Sequence, residues 1–240
     1  MHPVFYYLMP YMLIGIVGMA LGNRKVPPQE QQQRWVKLVS YLCIIVGVKI
    51  CILAEGYWFV AFAILLILTI LVEVVKVALQ NPLPFAAYGQ IGLLYLLLVT
   101  GFLSFAFRLP SAVILTGYFV VVTFDGFSQI SGQLFGKTPF FTHISPAKTR
   151  EGFIGGACFG LTAALLAKTW LDYAWWQALA TGLASVVLAL TGDLAASYYK
   201  RLHHVKDFGK VLPGQGGITD RFDSFLWVGA GYGYFGWLFM

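Results

Sequence analysis

Hydrophobic positions in this chain come in long unbroken runs, separated by short polar or Pro/Gly-containing turns. The runs fall near Val4–Leu21, Leu38–Ala54, Tyr57–Leu79, Ile91–Phe107, Ala112–Phe135, Phe153–Leu171, Trp175–Tyr199 and Phe222–Met240. A helix of about 20 mainly apolar residues crosses a hydrocarbon core of roughly 30 Å. Stretches such as Phe59 to Val75 are apolar on every side and lack the alternation of a β-barrel strand. The predicted class is therefore all-α, a polytopic integral membrane helical bundle of about eight transmembrane helices. The first run has neither the basic leading region nor the small-residue cleavage pattern of a signal peptide, and is read as a retained span.

Composition agrees and removes other classes. Of 240 residues, 59% are hydrophobic and 11% charged, whereas a soluble domain carries roughly 25% charged residues. The three cysteines, Cys43, Cys51 and Cys158, lie inside apolar stretches and are an odd number, which argues against a disulfide scaffold. A net charge of +6 without a polar domain reads as membrane topology and attraction to anionic headgroups or phosphates, with no nucleic acid as partner.

The basic residues sort by loop. Arg24, Lys25, Arg34 and Lys37 follow the first run, and Lys76 ends the third. Lys137, Lys148 and Arg150 follow the fifth, and Lys200, Arg201, Lys206, Lys210 and Arg221 the seventh. All fall on one side, while the opposite loops hold little more than Glu55, Arg108, Lys168 and Asp172. The positive-inside rule makes the basic side cytoplasmic and places both termini opposite. The chain reads as a single membrane domain, 1–240, with N-terminal scaffold helices (1–110) and a catalytic half (111–240) whose site faces the cytoplasm. Asn23 to Gln33, with Pro27, Pro28 and four glutamines, reads as a solvated connection.

Of ten carboxylates, seven lie at or after Asp125, and four of those between Asp193 and Asp223. Three polar segments stand out. In the first, Asp125, Ser128, Gln129 and Gly132 share a helix face. An intramembrane carboxylate usually faces a bundle interior or a watery cavity, although a Ser/Gly/Gln stripe also serves ordinary helix packing. The second, His143 to Gly152, includes Ser145, Pro146, Lys148, Thr149 and Glu151 and reads as a basic helix start able to contact phosphate. In the third, Asp193, Ser197, Lys200 and Arg201 form one stripe at i, i+4, i+7 and i+8. Lys206, Asp207 and Gly209 follow, then Pro213, Gly214, Gln215, Gly216 and Gly217. Asp220, Arg221 and Asp223 end the segment, with the two carboxylates at i, i+3 on a final helix.

Clustered hard oxygens suit Mg²⁺, which takes one or two carboxylates and completes its shell with water and phosphate oxygens. The intervening glycines would permit close approach to those phosphates. Glu73 and Lys76, three residues apart on one face, read as a local pair with Lys76 snorkelling to the interface. His203 and His204 read as solvated loop residues. Gly156 and Gly160 would permit close helix packing, including a homodimer.

The third segment resembles the signature of the phosphatidate cytidylyltransferase (CDP-diacylglycerol synthase) family, S-x-x-K-R-x4-K-D-x-G-x3-P-G-H-G-G-x-x-D-R-x-D. Here it runs from Ser197 to Asp223, and the Asp125 and Ser145–Gly152 segments resemble the family's upstream elements in the same order. The resemblance covers roughly Asp125 to Ser224; the N-terminal runs share only hydropathy. It implies transfer of CMP from CTP to phosphatidic acid or a related lipid phosphate, giving CDP-diacylglycerol and pyrophosphate, with Mg²⁺ and a possible second metal ion. It implies metal ligation by Asp193, Asp220 and Asp223, with Asp125 and Asp207 as ligands or orienters. Lys200, Arg201, Lys206 and Arg221 would contact phosphate and pyrophosphate, with Ser145 and Lys148 secondary. Ser197, Gly214, Gln215, Gly216 and Gly217 would line the substrate site.

Membrane lipids surround such an enzyme, and short loops point to a bacterial inner (plasma) membrane. The alternatives are a CTP-dependent transferase or kinase acting on another lipid phosphate or an isoprenoid alcohol, an inactive family member, and an anion transporter. The family's usual His is Gln215 here. A glutamine can replace a His that hydrogen-bonds a phosphate or holds the loop, but not one that moves a proton. Gln215→His is expected to be tolerated or to raise CMP transfer to phosphatidic acid; strong inactivation in that assay would show a loop adapted to another substrate.

Overall fold

Proline suits the first position of a helix, where its missing N–H would be unpaired in any case. In the computed structural model of the chain, Pro28 opens helix α2 (Pro28–Leu53). The segment expected as a solvated connection is thus helical from Pro28 onward. Its glutamines are good helix formers, Glu30 and Arg34 close an i,i+4 ion pair at 2.7 Å, and Gln31 Nε2 donates to the Val26 carbonyl. A proline that reads as a break is here a start.

The structure describes residues 4–24, 26–54, 57–212 and 216–236. Besides α2, the elements are α1 (Val4–Asn23), α3 (Trp58–Gln80), α4 (Phe85–Arg108), α5 (Ser111–Phe135), β1 (Pro139–Phe141), β2 (Ser145–Thr149), α6 (Arg150–Ala167), α7 (Trp175–Leu202) and α8 (Thr219–Phe235). The eight helices follow the order of the apolar runs. Five of them, α2, α3, α4, α5 and α7, are long and apolar enough to cross a membrane. Large apolar side chains such as Leu65, Leu68, Leu93 and Leu96 are exposed, the arrangement expected of surfaces that meet lipid. The all-α membrane bundle stands, with one addition: β1 and β2 pair as an antiparallel hairpin, Phe141 opposite Ser145.

The chain forms two compact units, Met1–Val46 with Leu115–Val187, and Gly47–Ile114 with Leu188–Met240. In the first, Tyr11 stands edge-on to Phe119, Phe127 and Phe159, and the last two rings stack at 3.8 Å. Helices α5 and α6 meet through small residues. A Cβ at Gly156 would run into the Ser128 side chain and lie 2.6 Å from the Phe124 carbonyl oxygen, and one at Gly152 would lie 2.7 Å from that of Ser128. Gly160 fits between Phe124 and Val186. Lipid tails are as apolar as the helices, so close packing must supply the cohesion that water supplies elsewhere. Gly156 and Gly160 provide it within the chain.

The second unit is built around the seam between α4 and α8. Phe59, Phe102 and Phe105 each stand edge-on to Phe225, with ring centroids 5.4–6.5 Å apart. Gly101 lies against the Ala230 backbone, Gly229 against the Phe102 ring, and Gly233 against the Gly101 carbonyl. Hydroxyls complete the seam: Tyr234 donates to the Leu97 carbonyl and Ser104 to that of Gly233. A Cβ at Gly101 would lie 2.8–2.9 Å from the Ala230 backbone, which cannot move without shifting α8. Gly101→Val is therefore expected to destabilise the fold by about 1–3 kcal/mol, measured as a lowered unfolding temperature in detergent.

Candidate functional site

Helix α7 ends without a glycine. Its stop is a Schellman arrangement in which Val205 N donates to the Lys200 carbonyl and His204 N to that of Arg201. His204 takes the left-handed position at φ 54°, where glycine is usual. The preceding His203 is wholly buried, not solvated as expected. Its Nδ1 meets the Asn81 carbonyl at 2.7 Å, and Asn81 Nδ2 returns a bond to the His203 carbonyl. Tyr199 donates to the Val74 carbonyl and stacks on Phe208. The last turn of α7 is thus tied to the end of α3 at three points.

The chain then runs to α8, whose N-cap residue, Ile218, has no capping side-chain bond. Four amides at a helix start lack intrahelical partners, and here a carboxylate from another helix takes two. Glu73 of α3, only 5% exposed, accepts from Ile218 N at 2.9 Å and Thr219 N at 2.7 Å. The loop backbone closes on this carboxylate. A Cβ at Gly217 would lie 2.6–2.8 Å from it, and one at Gly209 would lie 3.1 Å from Oε1. Gly216, at φ +86°, adopts a conformation that L side chains rarely tolerate and packs on Asp220 and Asp207. Leu212 and Gly216 form an antiparallel bridge. Gly214 and Gln215 lie outside the described residues.

Asp220 is engaged at both oxygens. Oδ1 accepts from Lys200 Nζ at 2.6 Å, and Oδ2 accepts from the amides of Phe208 and Gly217, each at 2.9 Å. The Lys200 side chain is 12% exposed and that of Asp220 3%, so this is a buried ion pair that clasps the loop. Lys200 Nζ also lies 5.4 Å from the centre of the Phe208 ring.

Asp223, one turn on, does something else. It accepts from Ser224 N, and it lies close enough to Asp193, Lys200 and Arg221 for their charges to act on it. Gly192 lets α7 and α8 approach here, since its Cβ would lie 2.9 Å from the Asp223 carbonyl oxygen and 2.8 Å from Trp227. Ser197 is buried and donates to Asp193 at 3.4 Å, as the predicted stripe requires. Arg221 Nε is buried without a hydrogen-bond partner among the described residues. Arg201, Lys206 and Asp207 are exposed.

Among the described residues no group of three or more His, Cys, Asp and Glu forms a ready metal cage. The donor chemistry that fits Mg²⁺ is the Asp193 and Asp223 carboxylates together, since this ion needs only one or two protein carboxylates when phosphates and water complete its shell.

The remaining sequence candidates belong to the first unit. Asp125 and Ser128 are half-buried on α5, and Gln129 is exposed. Ser145 and Lys148 lie on strand β2, not on a helix start. Helix α6 begins after them, with Thr149 as N-cap accepting from Gly152 N. Glu151 lies ahead of the apolar part of α6 and ties the hairpin to it, accepting from Lys137 N, Thr138 N and the Thr138 hydroxyl. Its own amide and those of Lys137 and Thr138 hold its carboxyl down at about 2, against an ordinary value of 4.5.

A family model for cytidylyltransferases matches residues 111–239, more than half of the chain. This chain belongs to the cytidylyltransferase family. Among its relatives, the phosphatidate cytidylyltransferase of Staphylococcus saprophyticus is 42% identical over 117 residues, 48% of this chain and 45% of that protein. That of Staphylococcus haemolyticus is 43% identical over 118 residues with the same coverage, and that of Staphylococcus aureus 40% identical over 117. The chain thus matches less than half the length of these curated relatives.

Within this cytidylyltransferase-family chain, Glu73 is the residue that sequence reasoning missed, and it lies outside the matched segment. Its only sequence signal is that it is a carboxylate amid an apolar run, which Lys76 three residues on made easy to discount. The geometry of the clasp makes one further expectation. Removing one partner of a buried ion pair strands the other charge, at a cost of about 3–5 kcal/mol. Asp220→Ala is expected to lower unfolding stability by that order. The double change Lys200→Met with Asp220→Ala should lose less than Asp220→Ala alone, as thermal unfolding of the three proteins in detergent would register.

Proposed function

We propose that this chain transfers CMP from CTP to phosphatidic acid, forming CDP-diacylglycerol and pyrophosphate, with Mg²⁺, at the cytoplasmic face of a bacterial plasma membrane. The observation that carries the reading is the close approach of α7 and α8 where Gly192 lies against the Asp223 backbone, which brings Asp193, Lys200 and Arg221 within electrostatic reach of the Asp223 carboxylate. Family membership and the names of the relatives support the reaction class. The distribution of Lys and Arg among the loops supports the face.

In this reaction an oxygen of the lipid phosphate attacks the α-phosphorus of CTP. The new P–O bond forms as the bond to the β-phosphate bridge breaks, and pyrophosphate leaves with that electron pair. No protein nucleophile is needed, so positioning and neutralisation of charge carry the catalysis. Asp193 and Asp223 would hold Mg²⁺, which when bound supplies charge neutralisation for the triphosphate. Asp220 is given the neighbouring task of fixing Lys200 and the loop, because both its oxygens already have protein donors. The buried Nε of Arg221 supplies a donor for a phosphate oxygen. Arg201 and Lys206, exposed beside the loop, are placed to draw in the nucleotide electrostatically.

The test incubates purified protein in lipid micelles with cytidine-labelled CTP, phosphatidic acid and Mg²⁺, and follows label into lipid. Transfer with release of pyrophosphate is expected, and it should be abolished by EDTA and in both Asp193→Asn and Asp223→Asn while the proteins stay folded. Near-normal turnover in either variant would refute the metal role, and release of CDP in place of pyrophosphate would identify a kinase.

A further inference from the structure

Glu73 lies outside the segment that the family model matches, on a helix the sequence resembles only in hydropathy, yet its carboxylate holds the start of α8. Ile218 N and Thr219 N donate to its two oxygens at 2.9 and 2.7 Å. Two glycines of the loop, Gly209 and Gly217, close on it so tightly that any Cβ would crowd the carboxylate. Helix α8 supplies no capping side chain at Ile218; within the loop and first turn only Asp220 reaches back, to Gly217 N, and the amides of Ile218 and Thr219 are left to Glu73. A shift of that turn moves Asp220, Arg221 and Asp223 together, because all three belong to the opening turns of the same helix.

We propose that Glu73 is a positioning residue of the active site: it anchors the first turn of α8 and so sets Arg221 and Asp223 against Asp193. Two features separate this from generic packing. Among the described residues the carboxylate is hydrogen-bonded to two backbone donors and is in no salt bridge, so its geometry, not only its charge, is fixed. Its hydrogen-bond partners also lie one to five residues from the three charged groups, apart from the Ser104 and Tyr234 hydrogen bonds of the α4–α8 seam. Gln in its place keeps one acceptor oxygen and turns an amide N–H₂ toward the other backbone donor, whereas Leu removes both acceptors. The catalytic part of the proposal rests on the cytidylyltransfer reading; the anchoring part does not.

The experiment compares full-length wild type, Glu73→Gln and Glu73→Leu in detergent–lipid micelles by two readouts. One is kcat and KM for CTP, normalised to folded protein. The other is amide hydrogen exchange of peptides covering 216–222 and, as a control, 95–106 of α4. Misplacement of a catalytic group by about 1 Å costs of the order of a hundredfold in rate. Glu73→Leu is expected to lose about that much in kcat with KM for CTP little changed. Exchange should rise at 216–222 and stay unchanged in α4, and Glu73→Gln should be intermediate in both. Wild-type kcat per folded molecule, or unaltered exchange at 216–222, would overturn the proposal. A parallel rise in exchange at 95–106 would also overturn it, because it marks a general structural role. Should Glu73→Leu fail to fold, Glu73→Gln decides by the same two readouts. Absence of CMP transfer by the wild type would count against the proposed function alone, with the exchange data still deciding the anchor.

Discussion

The start of α8, and with it the candidate site, depends on one buried carboxylate. An acidic side chain inside a membrane helix is costly to hold there unless its oxygens are satisfied. Glu73 is satisfied by the two backbone amides that α8 leaves unpaired at its start. The exchange is reciprocal, since a helix with no capping side chain at Ile218 acquires one from α3, and a negative charge at a helix N-terminus also suits the helix dipole. Two glycines of the loop follow from this contact, and a third from Asp220. Gly209 and Gly217 stand where the backbone must come within touching distance of Glu73, and Gly216 stands where the chain must turn with positive φ against Asp220.

The same contact divides labour among the acidic residues. Amides at a helix start are a ready place for phosphate, but at α8 protein carboxylates already occupy them. Glu73 has those of Ile218 and Thr219, and Asp220 has that of Gly217. In the proposed reaction those three amides are therefore taken, and phosphate contact there would fall to side-chain cations and to the proposed metal ion. Asp220 and Asp223, three residues apart, point to different work because their neighbours differ. Lys200 and two amides fill the first, while the second lies within electrostatic reach of the Asp193 carboxylate.

Much of this was legible in the sequence, and what was not has physical causes. Long apolar runs fixed the order of the helices, because in lipid the backbone has few alternatives to the helix. The Asp193–Ser197–Lys200 stripe follows from helical periodicity, and the Ser197–Asp193 contact reproduces it. Pro28 misled because one residue type both breaks helices and starts them, and only its neighbours decide. Ser145 and Lys148 fall on a strand because the hairpin is short and is held by Glu151 from the following helix, a long-range tie that local propensity does not register. His203 is buried because Asn81, 122 positions away, completes its bonds. Glu73 is the extreme case, since its partners are backbone atoms, which carry no residue identity to be read.

That last point bears on what the N-terminal helices are for. The signature that identifies the family lies within residues 111–239, and from composition alone the preceding helices look like hydrophobic packing. Yet α3 meets the region between Tyr199 and Thr219 through Glu73, the Val74 carbonyl and Asn81. These contacts use backbone donors and acceptors on at least one side, so they demand an acceptor or donor at a given height on α3 and leave its lipid-facing residues unconstrained. A helix under that kind of demand can keep its function while sharing little but hydropathy with its counterparts. Resemblance confined to the C-terminal half therefore does not confine the active site to that half.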